Sequence, residues 1–148
     1  MTPPLGLLQW TEGTAGADLI ENARRLEDMG YHELWLPEIF GREPLSACGY
    51  LLASTKTLHV SSGIANVYAR DADNAAQAAN TLAELSANRF RLGLGVSHPV
   101  LVDPRGHDWV KPVPTMRGFL DPHPPAPIDT PLPTQLSPLP SAAPGPPP

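Results

Sequence analysis

Several polar side chains in this 148-residue chain stand where apolar runs end. Glu38 follows Glu33-Leu-Trp-Leu-Pro37. A carboxylate there can accept hydrogen bonds from a bound molecule, or act as an acid if burial raises its pKa. His98 follows Arg89-Phe-Arg-Leu-Gly-Leu-Gly-Val96, and an imidazole with an ordinary pKa of about 6.5 can hydrogen-bond a substrate or transfer a proton. Glu38 and His98 are therefore the candidate catalytic residues. Asn66 and Ser97 are polar groups able to hydrogen-bond a ligand. Arg70 can contact an acidic ligand, although a solvated charge at a helix entrance is the plainer reading. Gly63, Gly93 and Gly95 gather at the same run ends, where backbone passes close to something. Either a ligand lies there, or the glycines relieve crowding where helices pack over strand ends. His107, Asp108 and His98 are separated by a loop with Pro99, Pro104 and Gly106, and their spacing matches no known metal-ligand set.

The elements that must position these residues can be read from periodicity. Gly6-Leu-Leu-Gln-Trp10 suits a first buried strand. From Thr14, Leu19, Ile20, Ala23, Leu26 and Met29 recur every three or four positions, which predicts an amphipathic helix capped by Gly30. Glu33–Pro37 is a second strand. Pro44 to Ser54 is a second helix, with proline in the first turn where it is tolerated. Thr57–Ile64 is a third strand. Asp71 or Asp73 then caps a helix running to Asn88, with Ala76, Ala79, Leu82, Ala83 and Leu85 as its packing face. Arg89–Val96 is the fourth strand, and a fourth helix is expected around Met116. Strict alternation with connections of roughly ten residues or more predicts parallel strands and an α/β class. An open doubly wound sheet and part of a (βα)8 barrel both satisfy it.

Composition excludes other classes. The formal net charge is −5 and no Lys/Arg run exceeds two, so neither nucleic acid nor an anionic membrane surface is an expected partner. Cys48 is the single cysteine, which rules out an internal disulfide framework and a Cys-based zinc site. No signal peptide and no apolar run of membrane-spanning length is visible, so a soluble, cytoplasmic protein is expected. The dinucleotide glycine fingerprint is missing too: Thr11-Glu-Gly-Thr-Ala-Gly16 after the first strand has the wrong spacing.

Leu34-Trp-Leu-Pro-Glu38, Gly41-Arg-Glu-Pro44, Ser62-Gly-Ile-Ala-Asn-Val-Tyr-Ala-Arg-Asp71, Thr81-Leu-Ala-Glu-Leu-Ser86, Arg89-Phe90 and Leu92-Gly-Leu-Gly-Val-Ser-His-Pro99 together resemble the luciferase-like flavin and deazaflavin oxidoreductases. They look most like the branch that uses coenzyme F420. The resemblance covers about residues 5 to 121. It implies the N-terminal half of a (βα)8 barrel, with about four parallel strands and three to four helices in residues 1–121. It also implies coenzyme F420 as cofactor, with FMN as the alternative. The expected reaction is hydride exchange with a small organic substrate, or oxygen insertion if the cofactor is a reduced flavin.

Members of that family often carry a non-prolyl cis peptide in a bulge ending strand three, and the matching bond here is Gly63-Ile64. The implied cofactor contacts are Gly63, Ile64, Ala65 and Asn66 on this bulge, and Gly95, Val96 and Ser97 on the next turn. Ile64 would back the ring. Ile39 occupies the position of a functional histidine, and His98 that of a glutamate, in the sugar-phosphate dehydrogenases of the superfamily. That activity is therefore not expected.

Twelve of the 20 prolines fall in residues 122–148. Such a stretch cannot bury a core, so it reads as a disordered or polyproline II tail. Relatives continue with further strands at this point, and a truncated or frame-shifted reading of a longer gene is the expectation. Activity of the chain alone is then doubtful. Half a barrel leaves open strand edges, which predicts self-association. The rival function is a non-catalytic interaction protein that uses the polyproline tail or those edges.

Overall fold

A computed structural model describes residues 4–121. Its elements are β1 (Gly6–Leu8), α1 (Gly16–Asp28), β2 (Glu33–Leu36), α2 (Pro44–Ser54), β3 (His59–Ser62), β4 (Ala65–Asn66), α3 (Ala72–Leu85), β5 (Phe90–Arg91), β6 (Leu94–Gly95), α4 (Pro99–Val102) and α5 (Pro112–Leu120). β1, β2, β3 and β5 form one parallel sheet in that order, and β4 pairs with β6 in a second. β3 lies between β2 and β5, so the strands follow one another as barrel staves do. A doubly wound sheet would have placed it elsewhere. The tail at 122–148 lies outside the described residues.

Local chemistry sets the boundaries. Gly30 takes φ +81° directly after α1, a conformation that costs a residue without Cβ little. Pro44 opens α2, whose first free N–H groups are met by Glu43: its carboxylate accepts from Leu45 N at 3.1 Å and Ser46 N at 2.7 Å. Asp71 does the same for α3, accepting from Asn74 N at 2.6 Å.

Along β2 and β3 the side chains alternate. Leu34, Leu36 and Val60, with Phe90 of β5, face the helices and pack on Leu19, Ala23, Cys48, Leu51 and Leu52. Each large aliphatic group removed from water there contributes about 1.5–3 kcal/mol. Burial, aided by the nearby Glu43 charge, pushes the Cys48 thiol up to about 12, so this cysteine is inert packing. Glu27 ties the end of α1 to the start of β3 by accepting from the backbone N–H groups of Lys56 at 2.9 Å, Thr57 at 2.5 Å and Leu58 at 2.8 Å. Burial raises its pKa, but these bonds outweigh burial and hold the carboxyl at about 2.

The structure corrects three expectations. Strands three and four are each broken in two, at Gly63–Ile64 and at Leu92–Gly93. The α3 packing face is turned: Ala75 is buried and Ala78, Ala79 and Leu82 pack on the core, while Ala76 is exposed and Leu85 is 78% exposed. Alanines lie on nearly every side of this helix, so apolar periodicity did not single out one row. Met29, expected on the α1 core face, is 69% exposed because the helix ends beneath it at Gly30.

Within the described residues, the outer edges of β1 and β5 pair with nothing. At β1, Leu8 is 63% and the following Trp10 61% exposed. An unpaired parallel edge next to apolar side chains is a template for another chain. The 148-residue polypeptide should therefore sediment as more than a monomer at roughly tens of micromolar, a concentration that weak interfaces populate. A clean monomer there would refute this. No helix among the described residues is long and apolar enough to cross a membrane.

Candidate functional site

The two segments singled out in the sequence lie side by side. β3 ends at Ser62, the Gly63–Ile64 peptide is cis, and β4 follows at once. Ala65 then pairs with Leu94 and Asn66 with Gly95. The break in both strands is bridged by a side chain: Ser62 Oγ donates to Gly93 O and accepts from Gly93 N, each at 2.9 Å. The hydroxyl thus stands in for a missing ladder bond. Gly63 N donates to Leu36 O at 2.7 Å, and Ala65 N to Gly93 O at 2.7 Å, so the bulge is hung between β2 and the β5–β6 turn.

The chain's own atoms explain the glycines. A Cβ on Gly93 would overlap the Ser62 carbonyl oxygen, and one on Gly95 would sit 2.5 Å from Ile64 Cγ1. On Gly63 it would come within 3.1 Å of the Trp35 ring. The crowding reading therefore holds for all three, but the crowding is strand against strand rather than helix over strand. At Gly95 the crowding comes from the side chain of Ile64, which is half-buried, as are Val96 and Ser97. Ala65 and Asn66 are buried at 0% and 2% exposure, so they shape the backbone rather than offer side chains to a ligand.

Glu38 and His98, the two candidate acid–base groups, are not brought together. His98 is exposed at the start of α4, where its side chain makes no capping bond. Glu38 is buried, and its Oε2 accepts from Asn66 N and from Arg70 Nη1, both at 2.8 Å. Arg70 is correspondingly not the solvated charge the sequence suggested: its side chain is 6% exposed and also reaches Asn66 O at 3.2 Å and Glu43 Oε1 at 3.1 Å. Arg105 approaches Glu38 Oε1 at 3.6 Å from the segment beyond α4. That segment folds back on the rim, with Trp109 Nε1 donating to Val96 O at 3.1 Å and Val110 N donating to Tyr68 OH at 3.2 Å. Sequence reasoning missed Trp109 and Tyr68, which no local pattern marks.

On the sheet face turned away from the helices, Ser61 Oγ donates to Glu33 Oε1 at 2.6 Å, and Arg91 stands 3.7 Å from Glu33 Oε2. His59 belongs to the same layer, its ring centroid 4.5 Å from that of His32. Burial, followed by the His32 and Arg91 charges, lowers the His59 pKa below 6.5. A group whose folded pKa is depressed binds its proton more readily in the unfolded chain, so its contribution is complete above the unfolded value and is lost as pH falls through the folded one. The urea midpoint should thus drop on acidifying from neutrality to below about 6.5, a range above ordinary carboxylate titration. His59→Gln should flatten that drop, and an unchanged slope in the variant would refute the assignment.

Consecutive parallel staves joined by helices define the N-terminal part of a (βα) barrel. The luciferase-like monooxygenase family matches residues 6–122, and the chain belongs to it. Over 106 residues it is 29% identical to 5,10-methylenetetrahydromethanopterin reductase of Methanolobus tindarius, covering 66% of this chain and 32% of that protein. The solved coenzyme F420-dependent tetrahydromethanopterin reductase of Methanopyrus kandleri superposes with a TM-score of 0.69 at 18% identity, covering 78% of this chain and 38% of the other. The FMN complex of the oxygenating constituent of 3,6-diketocamphane monooxygenase from Pseudomonas putida gives 0.63 at 16% identity, covering 72% and 33%. The chain spans about a third of the length of the relatives it matches.

Proposed function

We propose that this chain carries the cofactor-facing N-terminal staves of an F420-dependent oxidoreductase acting on a small organic substrate, with FMN as the alternative cofactor. The observation that carries this reading is the packing of half-buried Ile64 against Gly95, whose Cβ would displace it; that side chain would form an apolar shelf for one face of a planar ring. When bound, such a cofactor supplies hydride exchange, or oxygen insertion in the case of a reduced flavin. The chain's own residues would orient it. Gly63, Ile64, Ala65 and Asn66 form the backing, and Gly95, Val96 and Ser97 the adjoining edge. His98, exposed beside that edge, would exchange a proton with substrate, whereas Glu38, the second candidate, is held by Arg70 and Asn66 N.

Cofactor binding is proposed for this chain, and turnover where the remaining barrel staves are supplied. Titration with F420 and with FMN, followed by fluorescence, tests the reading. Saturable binding of either is expected, weakened by Gly95→Ala because the new methyl pushes Ile64 off the shelf. Binding of neither would overturn it. The outer edges of β1 and β5, which pair with nothing among the described residues, support the second reading, a non-catalytic interaction protein, and capture of a partner without cofactor affinity would select it. The proline-rich segment of that reading lies outside the described residues.

A further inference from the structure

We propose that Glu38 and Arg70 act as a positioning pair for the cofactor bulge: their buried ion pair, rather than the β4–β6 ladder alone, fixes where Ile64 stands. The inference deepens the proposed function and rests on it for its ligand.

Residue 38 grips the bulge twice. Its backbone N–H donates to Ile64 O at 3.2 Å, and its carboxylate accepts from Asn66 N at 2.8 Å, so one residue of the segment after β2 holds both ends of Ile64–Asn66. Arg70 closes the loop from the other side, since Nη1 is shared between Glu38 Oε2 and Asn66 O while Nη2 reaches Glu43 at the start of α2. The β4–β6 ladder that would otherwise hold this segment has only two residues in each strand. Both charged side chains are 6% exposed, so water cannot replace either partner cheaply. A guanidinium is needed because the three acceptors, Glu38, Asn66 O and Glu43, lie in different directions, and an ammonium presents one compact charge instead of a planar fork. Glu38 therefore serves here as a positioning residue, and Arg70 acts through it.

The test compares wild type, Arg70→Met, Arg70→Lys and Glu38→Gln by fluorescence titration with F420 and FMN, and by residue-resolved amide hydrogen exchange on the full chain without cofactor. Glu27→Gln serves as a control that loosens α1 from the start of β3, far from the bulge. Arg70→Met should raise the dissociation constant roughly tenfold, as expected for losing a charge-assisted bond, and Arg70→Lys should restore part of it. The amides of Glu38 and Asn66 should lose protection in Arg70→Met and Glu38→Gln while core amides such as Val60 keep theirs. Unchanged affinity in Arg70→Met, or an equal loss in Glu27→Gln, would overturn the proposal. Should wild type bind neither cofactor, the cofactor reading of this chain fails and the exchange result alone decides the pair's role: selective loss at Glu38 and Asn66 upholds it, and wild-type protection there refutes it.

Discussion

Replacing Arg89 with methionine is expected to lower the unfolding free energy by about 3–5 kcal/mol, the range for stripping a part-buried charged donor from several acceptors. The guanidinium is the point at which three elements are joined. Nη2 donates to Leu52 O at 2.8 Å and Nη1 to Leu58 O at 3.0 Å and Thr55 Oγ1 at 3.2 Å. Nε donates to Ser86 O at 3.0 Å. One side chain thus satisfies carbonyls at the end of α2, before β3 and after α3, groups that helix and strand termini leave without partners. Methionine can fill the space but donates nothing, so these carbonyls would lose their partner while remaining packed. Arg89→Lys should recover less than half, because an ammonium cannot span acceptors on opposite sides of the fork. Urea unfolding is the measurement, and a loss below about 1 kcal/mol, the value of a single ordinary hydrogen bond, would show that water replaces the arginine easily.

Arg89 also shows where sequence reading stops. Its position in Arg89-Phe90 was visible as a motif, yet three of its four acceptors are 31 to 37 residues away and become neighbours only after β3 and β5 pair. The same holds for Arg70, whose burial follows from Glu38 and Glu43 arriving from 32 and 27 residues off. What was legible had a local cause. Pro44 and Glu43 start α2, Asp71 caps α3, Gly30 ends α1, and alternating Leu34, Leu36 and Val60 announce a buried strand face. Strand order followed from alternation plus the family motifs rather than from periodicity, which allowed two architectures. At the site, those motifs marked both the Gly63–Asn66 stretch and the Gly95 turn, which the β4–β6 pairing brings side by side. The strand breaks were not, because a serine hydroxyl substituting for a ladder bond leaves no mark in a hydrophobic pattern.

Gly93 and Gly95 are two residues apart, and alanine at each should differ in its effect on stability. At Gly93 the added Cβ meets the Ser62 carbonyl oxygen, which is backbone held between two strands, and it also nears the Trp35 ring at 3.7 Å. The backbone oxygen cannot rotate away, while the ring stays at ordinary contact distance. Relief requires separating β3 from the β5–β6 turn, and that separation breaks the paired Ser62–Gly93 bonds and the Ala65 N to Gly93 O bond at 2.7 Å. Overpacking of this kind costs about 1–3 kcal/mol before the lost bonds, so Gly93→Ala should rank with Arg89→Met in its urea midpoint. At Gly95 the three nearest atoms to the Cβ all belong to the Ile64 side chain, Cγ1 at 2.5 Å, Cδ1 at 2.8 Å and Cβ at 3.2 Å. A half-buried isoleucine can change rotamer at a cost of about 1 kcal/mol, so the fold should survive. The shelf should not, because the displaced side chain then occupies the space in which a ring would lie. Measured together, Gly93→Ala should lose stability and cofactor affinity in parallel, whereas Gly95→Ala should lose affinity at nearly native stability. Parallel losses in both variants would mean that Ile64 is only a packing residue of the β4–β6 pair, and the proposed ring site would have to move elsewhere on the rim.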